Sequence, residues 1–296
     1  MHPGSDVRQS RASASDQTGL YVRSRPGPTP VTAVLCDGLV CDGFIYKYLW
    51  DDLAERLSVA HWHYRGHGRS AQPADPSRID VVHHAADLDA VRRHLGDPPV
   101  ILVGHSFGTQ VALEAYRLRP AGVRALVFLC GSFGRVTYTF KNSDLLANVL
   151  PNLVRFVTNH RRLARGLWSR VPPGLALRVA RMTGDVDSGR VNVADIAPYF
   201  DHALHVDFEL FLKMLACAGE HSAQDLLPQV GVPTLVMAGE RDSFTPPQVS
   251  QAMAEAIPGA ELEIIAGASH LAPLEQRDLF RERIFRFVDE RVHPSE

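Results

Sequence analysis

From Gly19 onward, short β-rich apolar runs alternate with longer stretches in which apolar residues recur every three or four positions. The short runs predict strands over residues 20–24, 31–36, 59–64, 100–103, 125–130, 234–238 and 261–265. Two of them, 100–103 and 125–130, are apolar without alternation, as strands covered on both faces should be. The longer stretches predict helices over 48–57, 81–95, 107–118, 247–257 and 273–291. Pro247 and Pro273 suit first helical turns, where a missing N–H costs nothing. Strand and helix in alternation predict an α/β fold with a mostly parallel central sheet and helices on both faces.

One stretch breaks this grammar. Between 134 and 222 the pattern offers only helical segments, punctuated by Pro151, Pro172, Pro173, Gly184, Gly189 and Pro198, and strands resume after Val232. The simplest account is an all-helical insertion in the sheet. Residues 1–18 are rich in His, Ser, Asp and Arg, lack the apolar centre of a signal peptide, and are expected to form a disordered tail. The expected organisation is that tail, an α/β core over 19–133 and 223–292, and a helical cap over 134–222. No apolar run approaches the roughly 18–20 residues of a membrane span.

The chemistry concentrates at strand ends. The run closing at Val103 passes into Gly104-His105-Ser106-Phe107-Gly108, and a helical pattern follows at once. This is G-x-S-x-G in a strand–turn–helix setting, where glycines permit a tight turn and the serine hydroxyl is held above the sheet. A serine hydroxyl needs a base, and the base a carboxylate to orient it. The strand over 234–238 leads into Glu240 and Asp242, and the strand over 261–265 into Ser269 and His270. After Asp242 the sole other histidine is His293, at the chain end; Glu240 is the rival acid. Ser106, Asp242 and His270 are therefore the candidate catalytic residues.

Composition narrows the partners. The 296 residues are 45% hydrophobic and 22% charged, with 31 Lys and Arg against 33 Asp and Glu. A net charge of −2 gives no basic excess for neutralising phosphates, so nucleic acid is not an expected partner. Cys36, Cys41, Cys130 and Cys217 are too few and scattered for a disulfide framework or zinc site. They are read as reduced thiols of a cytoplasmic protein. The histidine clusters His61/His63/His67, His83/His84 and His202/His205 lack completing ligands and are read as structural. No metal and no cofactor are expected.

Together with Tyr64-Arg65-Gly66-His67-Gly68-Arg69-Ser70 after an early strand, these motifs make nearly the whole chain resemble the α/β-hydrolase fold superfamily. Its capped single-domain serine hydrolases, esterases and lipases among them, are the nearest branch. The resemblance implies a helical cap inserted after the sixth strand and a Ser106–His270–Asp242 triad. It implies an oxyanion hole from the backbone N–H groups of Phe107 and Leu39. It further implies hydrolysis of a small carboxylic ester with an apolar acyl group through an acyl-enzyme. The same triad also serves C–C, thioester or lactone hydrolysis and perhydrolysis, and a non-catalytic binding protein is the alternative of a different class. His105, Asp37, Trp168, Phe244 and Leu271 are the residues expected at the substrate pocket.

The chain departs from its relatives in one place: Asp37-Gly38 stands where they commonly carry His-Gly. A carboxylate facing an oxyanion opposes catalysis, so Asp37 is expected to point away and cap nearby backbone N–H groups. The insertion is also uneven. Residues 135–182 hold nine Lys and Arg against Asp144 alone, whereas 183–222 hold seven acids and two bases. Arg155, Arg161, Arg162, Arg165, Arg170, Arg178 and Arg181 interleave with Leu153, Phe156, Leu163, Leu167, Trp168, Leu175, Leu177 and Val179. Such helices fit either peripheral contact with a membrane or an anionic substrate, or one cap with two oppositely charged halves.

Overall fold

The computed structural model describes residues 6–168, 170–172, 178 and 191–292. Its centre is an eight-stranded sheet in the order β1-β2-β4-β3-β5-β6-β7-β8. The strands are β1 (Arg8–Ser13), β2 (Gly19–Arg25), β3 (Thr32–Cys36), β4 (Ser58–Trp62), β5 (Val100–His105), β6 (Val123–Leu129), β7 (Thr234–Gly239) and β8 (Glu261–Ile265). β1 and β2 pair antiparallel, and every pairing from β4 to β8 is parallel. β3, β5 and β7 are buried along their whole length and β6 at every residue but Arg124, which explains their apolar runs.

Helices cover both faces. α1 (Leu49–Ala54) packs with the last long helix, whose Phe280, Ile284 and Phe287 share a core with Leu35, Val103 and Leu235. α2 (Val81–His94) and α3 (Phe107–Leu118) pack on the opposite face, where Leu88, Val111 and Leu113 meet Val34, Leu102 and Val236. The faces differ because the chain runs from β3 to β4 on one side and returns from β4 to β5 on the other. That reversal leaves a crevice between the carboxyl ends of β3 and β5, the usual ligand position in an open α/β sheet.

The segment between β6 and β7 carries α4 (Val136–Thr139), α5 (Leu145–Asn159), α6 (Arg161–Trp168), α7 (Val193–His205) and α8 (Phe208–Glu220). It leaves and rejoins the core at one place: Gly134 pairs with Ser222, and Ala223 N–H donates to the Phe133 carbonyl at 2.8 Å. Its charge asymmetry is in part internal, since Arg161 meets Glu209 and Arg165 meets Asp207, each at 2.8 Å. Pro173, Gly184, Gly189, Leu175, Leu177, Val179 and Arg181 lie outside the described residues. After β7 come α9 (Pro247–Ala256), then α10 (Ala272–Glu275) and α11 (Arg277–Phe287) beyond β8. These last two replace the single helix expected over 273–291, because Gln276 leaves the helical conformation between them, at φ −131° and ψ 49°.

The N-terminal expectation is corrected. Residues 8–13 are not a disordered tail but strand β1, in register with β2 from Arg8↔Ser24 to Ser13↔Gly19. The strand contributes backbone hydrogen bonds and few core side chains: only Ala12 among its six residues is buried. Its polar remainder is what a sheet edge tolerates, and it is also what makes the segment read as unstructured.

Candidate active site

Ser106 sits between β5 and α3 with φ 52° and ψ −118°, a backbone conformation that costs a non-glycine residue energy and recurs at functional turns. The flanking glycines are there because nothing larger fits. A Cβ on Gly104 would come within 2.6 Å of the Gly108 carbonyl oxygen, and one on Gly108 within 2.1 Å of that of Cys36. The turn is thereby pressed against the end of β3, and Gly38 lies beside Ser106. Phe107 opens α3, where the first N–H groups have no partner within the helix.

Two loops further along the sheet supply the other candidates. Asp242 Oδ2 lies 2.8 Å from His270 Nδ1. Asp242 Oδ1 accepts from the N–H groups of Phe244 and Thr245, each at 2.9 Å, so the carboxylate also folds its own loop. The Thr245 hydroxyl, which sequence reasoning missed, lies 2.8 Å from Asp242 Oδ2. His270 is held from its own side by Glu275, which accepts from Ser269 N–H at 2.7 Å and Ser269 Oγ at 2.6 Å. With Nδ1 turned to Asp242, Nε2 is left for the cavity. The rival acid Glu240 is engaged elsewhere, accepting from Gly267 N–H at 2.7 Å.

Ser106 and His270 line one cavity of about 400 Å³, with Leu39, Phe107, His105, Phe244 and Leu271 also on its wall. Phe244 stacks on the His270 ring at 5.0 Å. His105 is buried, and its Nε2 lies 3.2 Å from the His270 carbonyl, to which it can only donate. Burial pushes its imidazole down to about 3, so it stays neutral and braces the His270 loop. The remaining wall is largely apolar: Phe140, Leu146, Phe211 and Leu215 from one part of the helical segment, Ile196, Tyr199 and Phe200 from α7. Among the described lining residues none is an Asp, Glu, Lys or Arg.

Two residues expected at the pocket are placed elsewhere. Asp37 is 1% exposed and turned from the cavity to His61, with Oδ2 at 2.7 Å from Nε2. Loss of water pushes its carboxyl up to about 8 against the opposing pull of Arg23. The Asp37 carbonyl accepts from the Tyr64 hydroxyl at 2.8 Å, and the Tyr46 hydroxyl donates to the Cys36 carbonyl at 2.6 Å. Asp37 therefore anchors the loop that carries Leu39. Trp168 stacks on Phe208 at 4.3 Å, inside the helical segment and off the cavity wall. Helical periodicity shows that such a residue is apolar-facing, but not which neighbour it faces.

Among the described residues no group of three or more His, Cys, Asp or Glu side chains is gathered as a metal site, and the four cysteines are free thiols. No helix among them is long and apolar enough to cross a membrane.

A family model described as the alpha/beta hydrolase fold matches residues 34–276. The polyketide synthase ThaQ of Burkholderia thailandensis is 30% identical over 269 residues, covering 89% of this chain but only 12% of that much longer protein. A proline iminopeptidase of Saccharolobus solfataricus is 25% identical over 79% of this chain and 76% of its own length. Among solved structures, an esterase from Exiguobacterium antarcticum superposes with a TM-score of 0.77 at 20% identity, covering 95% of this chain and 99% of its own.

Proposed function

Given that the chain belongs to the α/β-hydrolase fold family, we propose that it hydrolyses carboxylic esters through an acyl-enzyme on Ser106. His270 Nε2 takes the Ser106 proton as Oγ attacks the carbonyl carbon. Asp242 holds the imidazole tautomer through Nδ1 and stabilises the imidazolium. The oxyanion is met by the N–H groups of Phe107 and Leu39, which are each worth a few kcal/mol in such sites. The C–O bond then breaks, the alcohol leaves with the proton from His270, and water, deprotonated by His270, releases the acid and restores Ser106. The helical segment 134–222 serves as a cap that supplies most of the acyl wall.

The observation carrying this reading is the 2.8 Å Asp242–His270 pair opening on the same apolar cavity as a strained Ser106 elbow. An aminopeptidase reading is less well supported, because a free N-terminal ammonium would find no carboxylate among the described wall residues. The test is a series of p-nitrophenyl esters graded by acyl length, beside prolyl and alanyl p-nitroanilides. The reading predicts ester turnover that is lost in Ser106→Ala. Turnover of the anilides alone, or ester turnover that survives Ser106→Ala, would overturn it.

A further inference from the structure

The helical segment carries two apolar rows where its own packing uses one. On α5, Leu150 and Val157 turn inward and form one buried cluster with Ala164 of α6 and Leu212 of α8. Leu146 packs against the same cluster and reaches the cavity wall. A second row, Leu145, Val149, Leu153 and Phe156, follows at spacings of four, four and three, and so occupies a single helix face. These four side chains are 37–66% exposed. α6 repeats the arrangement: Ala164 is buried, while Leu163 and Leu167, one turn apart, are 54% and 59% exposed. Both helices pack their inner faces on α8, so both outer rows face away from the body of the protein. Six of the fourteen large apolar side chains exposed among the described residues gather there, and none of the six lines the cavity. Single exposed leucines are ordinary, but a row of them on adjoining helices marks an interaction surface.

The charge around these rows has one sign. Residues 141–172 hold Lys141, Arg155, Arg161, Arg162, Arg165 and Arg170 against Asp144 alone, in a chain whose net charge is −2. Arg161 and Arg165 are answered by Glu209 and Asp207. Arg155 and Arg170 instead bond neutral groups, Asn152 Oδ1 and the Gly166 carbonyl, each at 2.7 Å, and keep their charge. Arg162 is exposed. A second copy docked face to face would set these arginines against themselves, with no acid on α5 or α6 to answer them. An anionic bilayer suits both features at once: lipid phosphates take the guanidinium charges and the acyl boundary takes the apolar rows.

We propose that the outer face of α5 and α6 docks on an anionic lipid bilayer. Its six apolar side chains enter the headgroup region, and Arg155, Arg162 and Arg170 meet lipid phosphates. Leu146 ties this face to the cavity, since it follows Leu145 directly and points about 100° around the same helix. Docking therefore sets the cap wall beside esters dissolved in the bilayer. That consequence rests on the ester reading; the docking itself does not.

The test is co-sedimentation of the full chain with vesicles at low salt, using phosphatidylglycerol and phosphatidylcholine in equal parts, or phosphatidylcholine alone. Wild type should partition onto the anionic vesicles at least about tenfold more strongly. Leu153→Ser with Phe156→Ser should weaken that partition by about tenfold. Arg155→Gln with Arg162→Gln should cut the preference for anionic vesicles to a few fold, and it keeps the test open if the serine pair fails to fold. Thermal melting by circular dichroism checks each variant. Wild type left in the supernatant, equal binding to both vesicles, or binding unchanged in both folded variants would overturn the proposal. Retention on polyglutamate beads without vesicle binding would assign the face to an acidic protein. A lipid-free dimer abolished by the serine pair would assign it to a second copy. Either result overturns lipid docking. Sedimentation requires no turnover, so the ester reading and the docking face stand or fall separately.

Discussion

Two aspartate–histidine pairs flank the strand that carries Ser106, Asp242–His270 at 2.8 Å and Asp37–His61 at 2.7 Å. In the first, two backbone N–H groups converge on Asp242 Oδ1, and the imidazole edge meets the cavity with 12% of its side chain exposed. In the second, both side chains are sealed at 1% exposure or less, and Asp37 Oδ1 and His61 Nδ1 have no partner among the described residues. Burial pushes Asp37 up to about 8 and His61 well below its usual value, so at neutral pH this pair is mostly an uncharged acid beside an uncharged base. Equal distance therefore does not mean equal role. Donors around the carboxylate and an opening beside the imidazole suit one pair to move protons; their lack makes the other a clamp on the Leu39 loop.

The comparison breaks most visibly in kinetics. His270→Ala and Asp242→Asn should each lower kcat/KM toward p-nitrophenyl esters by about 10³–10⁴ in a protein that still folds. His61→Gln should stay within about tenfold of wild type while losing about 1–3 kcal/mol of stability in urea unfolding. A loss for His61→Gln equal to that for His270→Ala would erase the distinction.

The next effect lies where the two halves touch. Gly108→Ala forces a Cβ into the Cys36 carbonyl and within 2.8 Å of the Asp37 carbonyl oxygen, wedging the elbow from the clamped loop. It should cost about 1–3 kcal/mol by urea unfolding, with kcat falling in parallel. Unchanged stability would mean the two loops are not in contact.

A pH slope sharpens the contrast from the Asp37 side. Asp37 releases its proton near 8 in the folded chain and near 3.8 when unfolded. Between those values the native state holds a proton that the unfolded state has lost, so this group makes stability fall as pH rises. Asp37→Asn removes that dependence and should gain on wild type from pH 5 to pH 8, by at most about 1.4 kcal/mol per pH unit. Urea midpoints at pH 5, 6.5 and 8 give the slope. A variant that loses ground as pH rises would show that Asp37 is charged in the native protein.

What was legible in the sequence follows from range. The loops carrying Ser106, Asp242 and His270 announce themselves locally, each a polar residue just past an apolar strand, and the sheet then brings the three strand ends to one edge. The direction of Asp37 was harder, because it depends on His61 across a strand pairing. Thr245 was invisible, since its hydroxyl meets Asp242 Oδ2 only once that loop has folded, and it also reaches the Cys130 carbonyl 115 residues away. β1 escaped because a polar edge strand is specified by backbone pairing, which no side-chain pattern advertises.

In the proposed function Ser106 is the nucleophile and His270, not His61, activates it. The rate of labelling by a fluorophosphonate, with the modified peptide mapped by mass spectrometry, tests it most directly. Modification is expected at Ser106 in wild type and His61→Gln at similar rates, slowing by about 10³ in His270→Ala, and none in Ser106→Ala. Modification of another residue, or folded His61→Gln labelling as slowly as His270→Ala, would contradict it.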